Sequence, residues 1–495
     1  MSVQKTFVAE FNLSFKSLCS LFEGSIFSHP DLNKIEYISG LSIDSRYVKN
    51  SQIFVAIVGE KLNGHDFVEE AKSNGAVCAI VNREELKLNL DQLIDENFFL
   101  IKVKDTIAAL HHISLHHRNN ISSEIISITG SNGKTTSKEM VASVLEKTFS
   151  QSEVHSTYGN QNNHIGVPLN LLRITPKTKK SVIEIGMNNF GEVKMLSKLV
   201  KPKIVLITNA QREHQEYLGS VEASARENGS VILNLQQHGY AIFPEDKCYE
   251  HIWRDYAQEV GSNVITFELC TDSSNIAEAD STNKVLGKIK SHNPLIVSVK
   301  INNSEEFQIN LKGFGEHFAQ NALSVIAVGY ALKIPRTSLM KSLEEFKPVS
   351  GRGNQYILKN GSLLIDDTYN ANPDSVQAAI FALKKFVGTR GIVLGDMGEL
   401  GKDSKSIHIE ILELAVENLD KVFIFGEHFS LAHESLGIGI LCTSLESLKK
   451  NIESWIYENS INQSVRPTIW IKGSRFMALE RIVAELVSFE DTKCY

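Results

Sequence analysis

Short β-branched, apolar runs alternate along this chain with longer stretches in which apolar residues return every three or four positions. The first pattern reads as buried strands and the second as amphipathic helices. EIISIT at 124–129 is such a strand, and Met140, Val141, Val144, Leu145 and Phe149 predict a helix from about residue 134 onward. SVIEIG (181–186) and KIVLITN (203–209) are further strands, with the amphipathic stretch GEVKMLSKLVKP (191–202) between them. Beyond residue 349 the rhythm becomes regular, with SLLIDD, GIVLGD, KVFIFG and TIWIKG each followed by a loop and a helical segment. One of those helices is marked by Asn372 as cap and Pro373 at its first position, before DSVQAAIFALKKF (374–386). Alternating strand and helix predicts an α/β fold with parallel sheets covered on both faces. Between about 262 and 312, Ser, Asn and Thr clusters separate short alternating runs, among them LIVSVKI and EFQINL. That stretch reads as a small antiparallel elaboration without chemistry of its own.

With 495 residues the chain exceeds a single core, and three domains are expected, at 1–118, 119–348 and 349–495. Hydrophobic content of 42% and charged content of 22% are ordinary globular values. A net charge of −7 gives no footprint for nucleic acid. The six cysteines (Cys19, Cys78, Cys248, Cys270, Cys442 and Cys494) are scattered and form no C-x-x-C pair, so neither zinc nor a disulfide framework is indicated. The opening MSVQKTFVAEFNLSF lacks a basic stretch followed by an apolar core, and no apolar run reaches the ~18 residues that span a bilayer. A cytoplasmic monomer is expected. HHISLHHRNN (111–120) holds four histidines and reads as a partly solvated helical linker face in preference to a metal site.

Candidate chemistry gathers where strands end. ITGSNGKTTSKEM (128–140) joins a strand, a glycine turn and a helix N-terminus, which aims backbone N–H groups and the positive end of the helix dipole at one point. Its first glycine, Gly130, comes late for the common phosphate-loop spacing, leaving G-x-x-G-K-T-T. The loop Ser131, Asn132 and Gly133 would cradle the phosphates of a nucleoside triphosphate, with Lys134 on the outer phosphates and Thr135 on Mg²⁺. Glu184 ends a neighbouring strand and is either a magnesium carboxylate or an ordinary charge at a helix start. His214, among Arg212, Glu213 and Glu216, is either structural or part of the same site. YGNQNNHIGVPLNLL offers the forked amides of Asn160, Gln161, Asn162 and Asn163, suited to sugars and peptide carboxylates or simply to a turn. DDTYNANPDS places Asp366 and Asp367 at a strand tip, where parallel sheets bind their ligands.

In order along nearly the whole chain, DSR, NGHDF, TGSNGKTT, GNQNNHIGVPLNLL, EIGMN, ITNAQREH, GEHFAQNAL, GRG, DDTYNANPDS, LGDMGELG and KGSRFM resemble the Mur ligases. DDTYNANPDS followed by LGDMGELG is the most specific part, and the unusual glycine spacing is the family's own form. The resemblance implies three domains: one for the UDP end of the substrate, a central P-loop-type, mostly parallel sheet for ATP, and a Rossmann-like C-terminal domain. It implies ATP-dependent, ADP-forming amide synthesis in peptidoglycan precursor formation, with D-Ala-D-Ala joined to a UDP-N-acetylmuramoyl-tripeptide through an acyl phosphate. By match, Ser45 and Arg46 would meet the UDP-sugar, Lys134, Thr135 and Thr136 the ATP phosphates and magnesium, Glu184 and His214 the metal, Asn321 the adenine, Arg352 a phosphate or ribose, and Asp367 the ribose. Asn370, Asn372, Ser474 and Arg475 would lie near the incoming dipeptide.

A folylpolyglutamate-synthase-like ligase shares the core but lacks the domain that DSR and NGHDF mark. A non-catalytic ATP-dependent regulator would leave the C-terminal strand tips without a role. One position departs from the resemblance. Many relatives carry a lysine after the TN…H…GS stretch that CO₂ converts to a carbamate, which helps bind a second magnesium; that position is Asn228 here. An amide cannot form a carbamate, and Glu227 beside it projects about 100° away on a helix. Ligation without lysine carbamylation at this position is the expectation.

Overall fold

The computed structural model describes residues 7–84, 89–270, 283–460 and 465–487, so Cys494, the first six residues and positions 271–282 of the proposed elaboration lie outside the described residues. The chain divides into two compact units, one of residues 1–127, 149–187 and 192–203, the other of residues 128–148, 188–191 and 204–495.

In the first unit, strands β1 (Val8–Ser14), β2 (Ile26–Phe27), β3 (Tyr37–Ser42), β4 (Gln52–Val55), β5 (Ala76–Asn82) and β6 (Phe99–Val103) form one sheet in the order β1-β3-β4-β5-β6-β2. From β3 to β6 the pairs are parallel. Its core includes Leu18, Ile38, Ile53, Ile80, Phe99 and Leu110. The helix Thr106–Asn119 carries the four histidines of 111–117. His111 Nε2 faces the His164 carbonyl at 2.6 Å and His117 Nε2 the Ile174 carbonyl at 2.8 Å. Burial lowers the pKa of both rings. Among the described residues no group of His, Cys, Asp or Glu could hold a metal by itself. Strand β7 (Glu124–Thr129) begins in this unit and its last two residues belong to the second. β8 (Val154–Ser156) and β9 (Lys180–Glu184) pair in parallel.

In the second unit, β10 (Ile204–Ile207), β11 (Tyr240–Pro244) and β12 (Asn263–Leu269) run parallel, and β13 (Lys284–His292) pairs parallel with β12. β14 (Leu295–Ile301) and β15 (Phe307–Leu311) then follow antiparallel. The expected antiparallel elaboration is therefore only half right: its first strand continues the parallel sheet. A period-two pattern reports a half-buried face and not the direction of pairing.

The remaining strands are β16 (Asn354–Ile357), β17 (Leu363–Asp367), β18 (Arg390–Gly395), β19 (Lys421–Phe425), β20 (Ile440–Cys442) and β21 (Thr468–Lys472), in the order β16-β17-β21-β18-β19-β20. β16 is an antiparallel edge and the other neighbours pair in parallel. Two apolar layers cover the faces, one around Ile380, Ile392, Ile411 and Trp470, the other around Val393, Phe423, Ile452 and Ile471. The helix Pro373–Lys384 starts as expected: Asn372 Oδ1 accepts from the Ser375 N–H at 2.9 Å, with Pro373 in the first turn. Among the described residues no helix is long and apolar enough to cross a membrane.

Candidate active site

β7 ends at Thr129 and the helix Lys134–Thr148 begins four residues after Gly130. Both loop glycines are required. Gly130 has φ +126 and a Cβ there would sit 2.2 Å from Thr208 Oγ1; Gly133 has φ +81 and its Cβ would sit 2.3 Å from Asn321 Oδ1. L side chains avoid this left-handed region even without such collisions. The loop is held from the segment after β10. Asn132 N donates to Asn209 Oδ1 at 2.8 Å, Thr208 Oγ1 to the Asn132 carbonyl at 2.6 Å, and Gln211 N to Ser131 Oγ at 2.9 Å.

Lys134 does not project freely. Its ammonium donates to the carbonyls of Gly130 and of Ser131 (3.1 Å) and to Glu213 Oε2 at 3.1 Å. The side chains of Lys134 and Glu213 are 17% and 5% exposed. Glu213 Oε1 accepts from Asn228 Nδ2 at 3.2 Å, and Asn228 Oδ1 accepts from Thr129 Oγ1 (2.5 Å) and the Gly130 N–H (2.9 Å). Two donors on Oδ1 fix which way this amide points. Asn228 thus anchors the start of the phosphate loop. Glu227 turns elsewhere and accepts from the Gly191 N–H at 2.9 Å, as helix geometry requires of neighbours.

His214 takes a left-handed conformation, φ +47, and its Nδ1 lies 2.6 Å from Glu399 Oε2. Glu399 is itself at φ +61. The imidazole, and after it burial and Lys134, act on the Glu399 carboxyl with a net lowering of its pKa. Contact at Nδ1 favours the proton there and leaves Nε2 as the nitrogen able to take a metal. Sequence reasoning missed Glu213 as a partner of Lys134 and missed Glu399 altogether. Glu213 stood next to His214 in the string, but nothing in the sequence pairs 399 with 214.

The C-terminal strand tips converge in the same unit. Asp367 Oδ2 accepts from Lys472 Nζ at 2.8 Å, and Lys472 also reaches the Asn370 carbonyl at 3.0 Å. Asp366 is buried and accepts from Thr368 Oγ1 (2.6 Å) and the Gly351 N–H (2.9 Å), while burial raises its pKa. It shapes the loop, whereas Asp367 lines a small cavity with Arg352, His317 and Trp470. Arg352 stacks on Tyr369 with its guanidinium carbon 4.1 Å from the ring centre. His317 is half-buried, with Nδ1 shielded from solvent and unpartnered among the described residues, and desolvation pushes its pKa down to about 4, with Asp367 opposing and Lys472 adding to the fall. Asn321 is 8% exposed and faces the Gly133 turn. Asn372 exchanges amide hydrogen bonds with Asn132 of the phosphate loop at 2.9 and 3.3 Å. Arg212 clasps Asp374 at 2.9 Å. Ser474 Oγ donates to the Ala371 carbonyl and accepts from the Gly398 N–H, and Arg475 pairs with Glu480 at 2.9 Å. Asp396 caps a helix start, accepting from the N–H groups of His428 and Phe429.

In the first unit, Glu184 is 1% exposed, accepts from Asn162 Nδ2 at 2.7 Å, and its N–H donates to Thr157 Oγ1. Asn160 is exposed, and its carbonyl accepts from the Asn162 N–H. Ser45 Oγ donates to Glu70 Oε2 at 2.5 Å. Arg46 is exposed and holds Asp44 in a forked pair at 2.9 and 2.6 Å, which lowers the Asp44 pKa.

Three family profiles match: the Mur ligase family catalytic domain over residues 37–118, the Mur ligase middle domain over 128–329, and the Mur ligase glutamate ligase domain over 351–454. A UDP-N-acetylmuramoyl-tripeptide–D-alanyl-D-alanine ligase of Haemophilus influenzae is 32% identical over 91% of this chain and 93% of its own length. Its Escherichia coli counterpart is 31% identical over 91% and 94%. Among solved structures, MurF from Acinetobacter baumannii aligns with TM-score 0.83 at 28% identity, over 97% of this chain and 99% of that one. MurF from Thermotoga maritima in complex with ADP gives 0.75 at 26%, over 90% and 96%. A folylpolyglutamate synthase of Mycobacterium tuberculosis gives 0.60 at 16%, over 76% of this chain and 94% of that one, a likeness of fold alone.

Proposed function

The chain belongs to the Mur ligase family, and we propose that it joins D-Ala-D-Ala to UDP-N-acetylmuramoyl-tripeptide with conversion of ATP to ADP and phosphate. The observation that carries this reading is the reciprocal amide pair between Asn132 and Asn372, which ties the phosphate loop to the tip of the C-terminal sheet. A nucleotide switch needs no such strand-tip cluster beside its phosphates. A ligase does, because the amine must meet the activated acyl group where the phosphoryl group was delivered.

The chemistry follows from leaving-group ability. A peptide carboxylate would have to expel oxide, so its oxygen first attacks the γ-phosphorus and ADP departs. The amine of the dipeptide adds to the carbonyl of the resulting acyl phosphate, and phosphate leaves as the amide forms. Phosphoryl transfer rewards positioning and charge neutralisation more than covalent help. Ser131, Asn132, Gly133, Lys134 and Thr136 are assigned to the phosphates, and Asn321, Arg352 and Asp367 to the base and ribose. Ser45 and Arg46 are assigned to the UDP end, Asn160 and Asn162 to the peptide, and Asn370, Asn372, Ser474 and Arg475 to the incoming dipeptide. The domain boundaries near residues 119 and 349 and a monomeric, cytoplasmic enzyme belong to the same proposal.

Glu184, Thr135 and His214 are assigned to magnesium by the family match: the carboxylate and the hydroxyl are oxygen donors of the kind a hard cation takes, and the imidazole is a nitrogen donor whose Nδ1 faces Glu399. When bound, magnesium would neutralise charge on the phosphates. The test is ADP release measured against a panel of UDP-muramoyl peptides and acceptors. Release only when both UDP-tripeptide and D-Ala-D-Ala are present is expected. Release with a folate and glutamate, or with ATP alone, would overturn the assignment.

A further inference from the structure

Lys134 is the phosphate-loop cation, yet its three N–H donors face three protein oxygens: two loop carbonyls and the Glu213 carboxylate. An ammonium has only three protons. It cannot meet a phosphate without releasing at least one of these partners. The carboxylate is the one that must give way, because a second anion drawn to the same ammonium is repelled by it.

Release leaves Glu213 in difficulty. Its side chain is 5% exposed, and among the described residues its other oxygen meets only the neutral amide of Asn228. That amide cannot swing to compensate, since Thr129 and Gly130 hold its oxygen and the Ser224 carbonyl accepts from its nitrogen at 3.0 Å. The neighbouring residue His214 faces Glu399, and Arg212 on the other side is held by Asp374. A buried carboxylate that loses its cation is strongly destabilising unless another cation replaces it.

We propose that Glu213 exchanges cations on nucleotide binding, releasing Lys134 to the phosphates and facing the nucleotide-borne magnesium, directly or through its water. Glu213 is thereby a positioning residue that couples metal binding to phosphate binding. The proposal rests on the nucleotide reading of the loop given above and adds to it a residue that the sequence did not single out. It explains why a loop lysine would be neutralised by a neighbour on the next strand's loop rather than left in solvent.

The measurement is calorimetric binding of ADP and of ATP, each with excess EDTA and with Mg²⁺, to wild type and Glu213→Gln. In wild type, Mg²⁺ is expected to tighten nucleotide binding by about tenfold or more, because metal-free binding strands the carboxylate. In Glu213→Gln, metal-free binding should tighten and the Mg²⁺ enhancement should fall several-fold. An unchanged enhancement with normal nucleotide binding overturns the exchange while leaving the nucleotide reading intact. Failure of wild type to bind either nucleotide overturns both. A second readout needs no nucleotide. In Lys134→Ala the carboxylate has lost its ammonium, so Mn²⁺ alone, followed by electron paramagnetic resonance, should bind about tenfold more tightly than to wild type. The Lys134→Ala/Glu213→Gln double variant should lose that gain; equal Mn²⁺ binding by all three proteins overturns the proposal.

Discussion

Lys134 and Lys472 are both partly or wholly buried ammoniums near strand ends in the same compact unit, but their counter-ions are held differently. Lys472 and Asp367 are cross-strand partners in the parallel pair β17–β21, and the register that aligns them also aligns four further residue pairs. The ladder keeps their backbones side by side, so each side chain always has its partner within reach. Lys134 opens a helix and Glu213 lies on the loop after β10, so side-chain torsions alone can separate them. A pair on paired strands sets structure. A pair between loops can change partners, and that is what a phosphate site needs.

The largest expected effect falls on the loop side. Lys134→Ala should lower kcat/KM for ligation by about 10³-fold or more, by loss of the cation that balances phosphoryl charge, while thermal unfolding stays cooperative. Steady-state ADP release with a melting curve checks both halves, and near-wild-type activity would erase the contrast. On the sheet side the expected damage is to stability. Asp367→Ala strands Lys472, whose side chain is 5% exposed, and should cost about 3 kcal/mol in urea unfolding. A cost near zero would mean that this pair is as adjustable as the other.

His317 sharpens the comparison through pH. Its folded pKa of about 4 lies below the ordinary 6.5 because desolvation disfavours the charged ring. Below pH 6.5 the unfolded chain takes up a proton that the folded ring refuses, so stability is complete above that value and declines toward pH 4. The share owed to this ring approaches about 3 kcal/mol at pH 4. Urea unfolding of wild type and His317→Asn from pH 7 to 4 should show the smaller decline in the variant; parallel curves would remove the ring from the account. The smallest expected effect is none. Asn228 carries no amine to carbamylate and its amide is engaged with Thr129, Gly130, Glu213 and Ser224. Activity in degassed buffer should not change when bicarbonate is restored, and a reversible gain would show a carbamate elsewhere in the site.

Much of the loop was legible because its residues are consecutive. Gly130, Gly133 and Lys134 sit between a strand and a helix whose periods can be counted, and local sterics settle the rest. The cap at Asn372 with Pro373 was legible for the same reason. Its second task, the amide pair with Asn132, spans 240 positions and left no local signal. β16 and β20 also escaped notice, since four- and three-residue strands are too short for a period to register. Arg46 stands in the string as a contact to the UDP-sugar, and the string did not show that it is forked onto Asp44 two residues earlier.

By itself, the sequence determined the alternation of strands and helices, the position of the phosphate loop and the order of motifs that marks the family. These depend on residue type and on spacings of a few positions, where backbone sterics and burial act directly. Only the tertiary structure decided which charges are paired: Lys134 with Glu213, Lys472 with Asp367, His214 with Glu399. Coulomb interactions and desolvation depend on separation and burial in space. Residues 79, 105 and 185 positions apart acquire those only when the elements that carry them are brought side by side.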